Sequence, residues 1–590
     1  PYNRLTQRGW KKTTGNTLRA NLTINQDFSF ITPGLSAKVS YAYDAVNYSV
    51  EERARNINFF EATGRDQDGE LIRTEWQADQ KQEYLNYKQS GNGSRTQYVE
   101  AAINYSRTFG EKHEVGGLLL GFAKDYRLQE ATSDYLKSLP NRSLGLAGRL
   151  TYAYDKRYLI EANIGFNGSE NFAPKNRYGF FPSVGLGWVI SNEPFFRGAT
   201  EVIQYLKLRG TWGRVGNSQI SGRRFAYLAT VKDTNDTSYQ FGKNMDQTYG
   251  TTAIDEYAVD VTWEIADKTN IGLDMRLLNN KFNLQFDAFK ESRKGIYLRR
   301  TSIPSYFGMI NNPYGNIGKV ENKGIEMSVS YANSWRDWSL SVMGNYSFNR
   351  NKVLEDDSTV AYPWQKTIGN KVDQRFGLIA LGLFESPEEI AAAPVQVGDT
   401  RPGDIRYKDI NGDGKIDEYD KVPIGWGSVP EIVYGFGFSV GWKGLSLSAM
   451  FQGAAHVDAI LSGEGVLPFA QGSSRGNLLS NITDRWTEAN PRQDVFYPRL
   501  SIGNMNMNYE ASTWWLKNTS YLRLKNIDLS YTLPDRWMKR IHINNARIFI
   551  QGVNLLTFSK FKLWDVELGD GRGAKYPNIG SVSLGINFNF

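Results

Sequence analysis

The chain has 590 residues, with 69 Lys and Arg against 62 Asp and Glu, no cysteine and three histidines. Without cysteine there is neither a disulfide framework nor a thiolate metal site, and three histidines leave zinc or Ser-His-Asp chemistry short of ligands and bases. The net charge of +7 is small for this length and dispersed, which argues against a nucleic-acid partner. No run of about 18 apolar residues exists, so helical membrane spans are excluded, whereas a transmembrane barrel escapes such a scan because every second residue faces water. The chain opens at Pro1 without a signal peptide; a signal is removed in maturation or lies upstream, so its absence excludes nothing.

Strands are predicted in chain order at 16–29, 35–48, 97–109, 113–126, 143–154, 157–167, 179–190, 203–214 and 262–278. They continue at 281–293, 323–333, 336–349, 431–441, 444–455, 520–532, 545–556 and 579–590. Side chains alternate across a strand with period two, and these segments alternate cleanly. Phe282, Leu284, Phe286 and Ala288 oppose Asn283, Gln285 and Asp287; Ile325, Met327, Val329 and Tyr331 oppose Glu326, Ser328 and Ser330. Ile432, Tyr434, Phe436, Phe438, Val440 and Trp442 oppose Gly435, Gly437, Ser439 and Gly441, and Leu445, Leu447, Ala449 and Phe451 repeat the pattern after a tight turn. In 521–533 the apolar set shifts by one near Lys525-Asn526, which predicts a β-bulge. In the last strand Val582, Leu584, Ile586, Phe588 and Phe590 form one wholly apolar face.

The connections take turns by length. Short ones fall at 30–34, 110–112, 155–156, 279–280, 334–335, 441–444 and 534–544; long ones fill 49–96, 127–142, 217–261, 294–322, 350–430, 456–519 and 557–578. The segment 191–202 is of medium length where a short turn is due. Outer-membrane barrels have this asymmetry, with tight periplasmic turns and long external loops. The expected fold is all-β: a transmembrane antiparallel β-barrel with about 17 strands in this chain. First and last strands both run towards the periplasm, whereas a closed barrel needs an even count, so at least one strand is expected upstream. Plugged transporters have 22 strands, which would leave five.

Eight stretches carry a resemblance: ITPGLSAKVSYAY (31–43), NFAPKNRYGFFPSVGLGWVISNEPFF (171–196), LKLRGTWGRVGNSQI (206–220), VTWEIADKTNIGLDMRLLNNKFNLQFDAF (261–289), NPYGNIGKVENKGIEMSVSY (312–331), PGDIRYKDINGDGKIDEYDKVPIG (402–425), SYLRLKNIDLSYTLP (520–534) and NIGSVSLGINFNF (578–590). In this order they resemble the SusC-like (SusC/RagA) TonB-dependent outer-membrane transporters of Bacteroidetes, C-terminal barrel portion. The resemblance implies a 22-stranded barrel in the outer membrane of a Gram-negative bacterium, with a plug inside it and a TonB box on the periplasmic side. It implies a SusD-like surface lipoprotein as lid, membrane lipid and lipopolysaccharide around the wall, and an oligosaccharide or oligopeptide as cargo. Plug and TonB box are expected upstream of Pro1. The implied function is active nutrient import without bond chemistry, hence no enzyme and no catalytic residue.

One local motif is sharp. Asp409, Asn411, Asp413, Gly414, Asp417 and Asp420 match positions 1, 3, 5, 6, 9 and 12 of an EF-hand loop, with Ile416 at the apolar eighth place and the Lys415 carbonyl at position seven. Structural Ca2+ is expected there, within the long external loop 350–430; Asp420 in place of Glu shortens the last ligand. The alternative is an acidic turn that needs no ion. Trp364, Trp426, Trp486, Trp514 and Trp515 lie in the loops, and Trp426, Trp514 and Trp515 are candidate cargo-stacking residues, although tryptophan also serves membrane girdles and loop packing. Trp188, Trp212 and Trp263, near strand ends, are girdle candidates. Asp287, Glu326 and Asp528 face inward and line a wet lumen or touch the plug. His113, His456 and His542 show no ligand spacing and read as incidental. Competing functions are a passive or structural or secretion-associated outer-membrane barrel and, from another class, a secreted calcium-stabilised glycan-binding β-protein.

Overall fold

The computed structural model describes residues 8–57, 59–76, 82–129, 135–463, 465–469, 479–502, 506–538, 543–569 and 571–589. Phe590 and His542 lie outside the described residues. Seventeen antiparallel strands form one sheet: β1 Gly9–Asp27, β2 Leu35–Ala54, β3 Asn86–Phe109, β4 His113–Gln129, β5 Asn141–Tyr154, β6 Tyr158–Ser169, β7 Tyr178–Val189, β8 Ile203–Asn217 and β9 Glu264–Leu277. The sheet continues with β10 Phe282–Arg299, β11 Tyr314–Trp335, β12 Trp338–Glu355, β13 Ile432–Trp442, β14 Leu445–Ala455, β15 Tyr521–Thr532, β16 Asn545–Ser559 and β17 Ser581–Asn589. Each strand pairs with its chain neighbours, and β1 and β17 pair on one side only among the described residues. No helix among the described residues is long and apolar enough to cross a membrane.

The register sorts side chains as the alternation requires. Phe436 stands opposite Phe451 across β13–β14 and the rings stack at 4.9 Å on the outward face. The other face carries a polar lattice: Lys38 on Glu100 at 2.9 Å, Arg149 on Asn163 at 2.9 Å and Arg209 on Asp287 at 2.6 Å. The predicted bulge is present, for the pairing of β15 skips Lys525 on both sides. At the tight turn after β13, Gly444 has φ +89° and a Cβ there would stand 2.7 Å from the Thr532 carbonyl oxygen, so only glycine fits.

Several strands run further towards the long loops than alternation predicts. β1 starts at Gly9 rather than 16, β3 at Asn86 rather than 97, and β11 at Tyr314 rather than 323. A strand needs about 9–11 residues to cross the bilayer. Beyond it both faces meet water, the binary pattern fades, and backbone pairing continues unannounced. The medium segment 191–202 contains two 3₁₀ turns, Ile190–Asn192 and Pro194–Ala199. Between them Glu193 accepts from Arg157 at 3.1 Å and from the Trp188 indole at 3.0 Å, an ordered clip where a short turn was expected.

Two girdle expectations need comment. Trp212 is outward and exposed, as a girdle residue should be. Trp263 is not: its ring packs on Phe172 and Phe181, each at 5.1 Å, inside an apolar cluster at the base of the loops. It precedes β9 by one residue, so strand parity does not govern its direction.

Candidate functional site at the looped edge

The two longest connections, 356–431 between β12 and β13 and 456–520 between β14 and β15, fold against each other as a roof over the looped edge. The first builds miniature sheets: Arg375–Gly377 pairs with Val422–Ile424, Ala380–Leu383 with Ile405–Tyr407, and Val395–Gln396 with Lys415–Ile416. Its one α-helical segment, Pro387–Ala392, begins at Ser386, whose hydroxyl accepts from the Glu389 amide at 3.3 Å. The second contributes Asp458–Ile460 paired with Leu516–Asn518.

Asp404 ties the two together. It is 1% exposed, and Arg499 of the other connection grips both its oxygens at 2.9 Å. Asn508 and Asn506 donate to the same carboxylate at 2.8 and 3.1 Å, and Asn508 in turn accepts from the Ile405 amide at 2.9 Å. A buried charge is tolerated only when paired and fully hydrogen-bonded, and Asp404 meets that condition with groups from both connections. Gly403 beside it has φ +86°, and a Cβ would stand 2.2 Å from the Trp486 ring.

Around this node lie two apolar clusters, one on Leu378, Leu383, Ile405, Tyr407 and Trp486, the other on Leu461, Val466, Tyr497 and Trp515. Trp515 is 1% exposed and its indole donates to the Asn508 carbonyl at 2.7 Å. Sequence reasoning offered that ring to cargo; in this conformation it is core. Trp514 packs against both clusters, half-buried, and donates to the Phe496 carbonyl at 3.2 Å. Trp486 is buried and Trp364 stacks on Tyr362 at 4.6 Å. Burial pushes the Tyr407 hydroxyl up and that of Tyr509 up to about 12.

Trp426 is the most open of the three candidate tryptophans. His456 stacks on it at 4.0 Å with rings 6° from parallel, and Arg350 lies 5.7 Å from its centroid. His456 is therefore not incidental: its Nδ1 stands 3.1 Å from Glu431, whose carboxylate Arg350 also grips at 2.8 and 3.0 Å. Asp458 accepts from the Trp426 and Gly427 amides, and burial still pushes its carboxyl above the usual range.

The EF-hand-like loop lies on the roof. Asp409 accepts from the Gly412 and Gly414 amides at 2.6 and 2.9 Å, Asp413 from Lys415 at 2.9 Å, and Asp417 from Tyr419 at 2.7 Å. Asp420 is 0% exposed and closes the loop by accepting from Ile410 at 2.7 Å and Asp417 at 2.9 Å. The donors are all oxygen, as a hard cation wants, yet no three acidic or histidine side chains converge on one point among the described residues. Asp409 and Asp420 each accept backbone amides on both oxygens, but Asp420 is buried whereas Asp409, Asn411, Asp413 and Asp417 keep access to solvent.

Beneath the roof, a cavity of about 640 Å³ with mixed aliphatic and polar walls opens on the inward face at the looped ends of β8 to β12. Asn217, Asn322, Asn349 and Asn351 line it with Glu264, Glu291 and Arg293. Arg293 holds Glu264 at 3.0 Å and Glu291 at 2.9 Å, while the side-chain Oδ1 of Asn322 is buried without a partner. Sequence reasoning passed over these asparagines. Their inward parity was available as a signal, but nothing in the pattern says that four amides from three strands converge. Asp287 and Glu326 lie lower on the same face, with Asp287 held by Arg209 and opposite Glu326 in the register.

A family model described as TonB dependent receptor-like, beta-barrel, matches residues 1–555. Among curated relatives, TonB-dependent receptor P26 of Formosa agariphila is 29% identical over 529 residues, covering 84% of this chain and 51% of its own length. TonB-dependent receptor SusC of Bacteroides thetaiotaomicron is 26% identical over 482 residues, covering 79% of this chain and 45% of its own. The chain thus spans about half the length of the curated relatives it matches. In fold it is similar to the solved RagAB peptide transporter, with a TM-score of 0.73 at 20% identity over 98% of this chain and 62% of that one.

Proposed function

The chain belongs to the TonB-dependent receptor-like β-barrel family, and we propose that it is the wall and mouth of an outer-membrane importer of an oligosaccharide or oligopeptide. In this reading the short turns face the periplasm of a Gram-negative cell and the roof faces outside. Cargo enters beneath a SusD-like surface lipoprotein, and TonB, acting on a plug within the barrel, opens the way inward. No bond is made or broken, so the protein is no enzyme; its work is capture and gating.

The observation that carries the reading is the pre-built mouth. Long loops fall on one edge of the sheet and have a core of their own, and the asparagine-lined cavity lies directly under them. Amide and carboxylate side chains suit hydroxyls of sugars and amides of peptides alike, since both present donors and acceptors without net charge. Trp426, the exposed tryptophan of the roof, adds a surface for stacking, and Trp514 a partly covered one. A passive barrel has no use for TonB, which gives the test. Uptake of labelled oligosaccharides and oligopeptides by cells expressing the full protein should stop when TonB is deleted or the proton gradient is collapsed. Uptake that persists in both conditions overturns the proposal in favour of a passive barrel.

Calcium is proposed as a structural cofactor of the Asp409–Asp420 loop, held by Asp409, Asn411, Asp413, Asp417 and the Lys415 carbonyl while Asp420 keeps its backbone hydrogen bonds. The oxygen donor set supports this. Its role is to stiffen the roof, and chelation should then speed proteolysis within 405–425; equal cleavage with and without chelator would remove the ion from the account.

A further inference from the structure

On the outward face, the register carries Tyr41, Val99, Ala123, Leu144, Gly168 and Tyr178 into one row from β2 to β7. Val99, Leu144 and Tyr178 are exposed, as lipid-facing residues should be. One step nearer the loops the row turns polar, with Gln97 opposite Asp125 and Asp125 opposite Arg142. One step further, Arg95 stands directly opposite Arg127.

Like charges directly across a strand pair are destabilising. Here a single carboxylate serves two of the three arginines. Asp125 takes Arg127 at 3.0 Å and Arg142 at 2.8 Å. Glu170, the next acid, is engaged by Arg224 at 2.6 Å. Arg95 makes no ion pair with any described residue, and its Nε is buried without a hydrogen-bond partner. Among the described residues, Arg95 therefore has no carboxylate to neutralise it.

Immediately beside it lies a cavity of about 620 Å³, floored by the apolar row and capped by Phe225 and Tyr227 from the β8–β9 connection. Its height in the membrane follows from the strands. Arg95 and Arg127 are each fourteen residues from the turn ends Phe109 and His113. At about 3.3 Å per residue and roughly 40° of tilt, that is about 35 Å, above an apolar band about 25 Å tall. That is the level of outer-leaflet headgroups.

We propose that this outward patch binds the phosphorylated headgroup of an outer-leaflet lipid. The phosphate lies among Arg95, Arg127 and Arg142, and an acyl chain lies in the cavity along Val99, Leu144 and Tyr178. Guanidinium groups match phosphate oxygens in a two-pronged geometry, and a phosphate between Arg95 and Arg127 turns their repulsion into attraction. A free anion has no use for the apolar floor, so the lipid is the occupant. The proposal rests on the membrane orientation given above and not on cargo uptake.

The test is native mass spectrometry of the full-length protein in detergent, titrated with diphosphorylated lipid A, the same lipid dephosphorylated, and inorganic phosphate. The phosphorylated lipid should bind at least about tenfold tighter than the dephosphorylated form, and R95Q/R127Q should erase that preference. R95K, which keeps the charge but loses the fork, should fall between. Heat-modifiable gel mobility shows whether each variant is a folded barrel. Equal binding of the two lipids, inorganic phosphate binding as tightly as the lipid, or an unchanged preference in folded R95Q/R127Q overturns the proposal. The titration contains neither cargo nor TonB, so failed import and failed lipid binding are told apart.

Discussion

Trp212 in the wall and Trp515 in the roof are the same side chain in opposite circumstances. Trp212 is 38% exposed on the outward face, where only lipid will cover it; Trp515 is 1% exposed among Tyr497, Tyr509 and Phe496, with its indole bonded to a carbonyl. The wall has an apolar skin and a wet interior, and depends on the bilayer for burial. The roof has an apolar interior and a wet skin, and behaves as a small water-soluble domain. Two folding solvents are thus written into one chain, and the change occurs within a few residues at the ends of β12 to β15.

That contrast can be broken from either side. Trp515→Ala should cost the roof about 3–5 kcal/mol through the cavity it leaves, while Trp212→Ala in detergent should change little. Limited proteolysis within 356–520, set beside heat-modifiable mobility of the wall, separates the two. Asp404→Ala should act on the roof by about 3 kcal/mol, because Arg499, partly buried, and the buried Asn508 both lose their partner. The wall gives the reciprocal case. Phe436→Arg, six residues from the turn end Trp442, puts a charge on the lipid face at a cost of about 2–4 kcal/mol near mid-membrane, whereas Ser448→Arg, facing the lumen on the neighbouring strand, should be nearly silent in urea titrations of the refolded barrel. Spin labels at Phe436 and Leu447 sharpen the orientation, since lipid-soluble quenchers should reach both and water-soluble ones neither.

The smallest expected effect is a pH dependence of the loops. Burial would raise the Asp357 carboxyl, but the Ser302 amide and hydroxyl at 3.0 and 2.8 Å and Arg300 at 3.2 Å outweigh it and hold the group below its ordinary 3.8. A lowered acid stabilises above its unfolded value and loses that contribution as pH falls through the folded one. Cleavage of the 300–313 connection should therefore rise below pH about 3.8 in the native protein. In Asp357→Asn it should be high and flat across the same range.

The wall was legible in the sequence because period two is written in every spanning strand, and even the bulge at Lys525 shows as a slip in the apolar set. Strand ends above the bilayer were not, since Gln89 to Ser94 in β3 are polar on both faces and carry no period. The roof was less legible still. Its strands are two to four residues long, as at Val395–Gln396 and Ile405–Tyr407, too short for any periodicity. A loop tryptophan such as Trp515 looks the same whether it waits for a ligand or anchors a core. Likewise the asparagines of the inward cavity read as four unrelated polar positions until the register lays β8 to β12 out in succession.

The neighbour-only order of the strands bears on how this molecule assembles and varies. Every wall pairing joins a strand to the next one in the chain, so the sheet can grow hairpin by hairpin, and each closure depends only on the connection just made. Closing a roughly tenfold longer connection adds only about 2 kcal/mol of chain entropy, because the cost grows with the logarithm of length. The 356–431 connection can therefore lengthen, shorten or be replaced while β12 and β13 still find each other in the same register. If the proposed import function holds, a change of cargo needs only an exchange of loops over a wall that stays as it is.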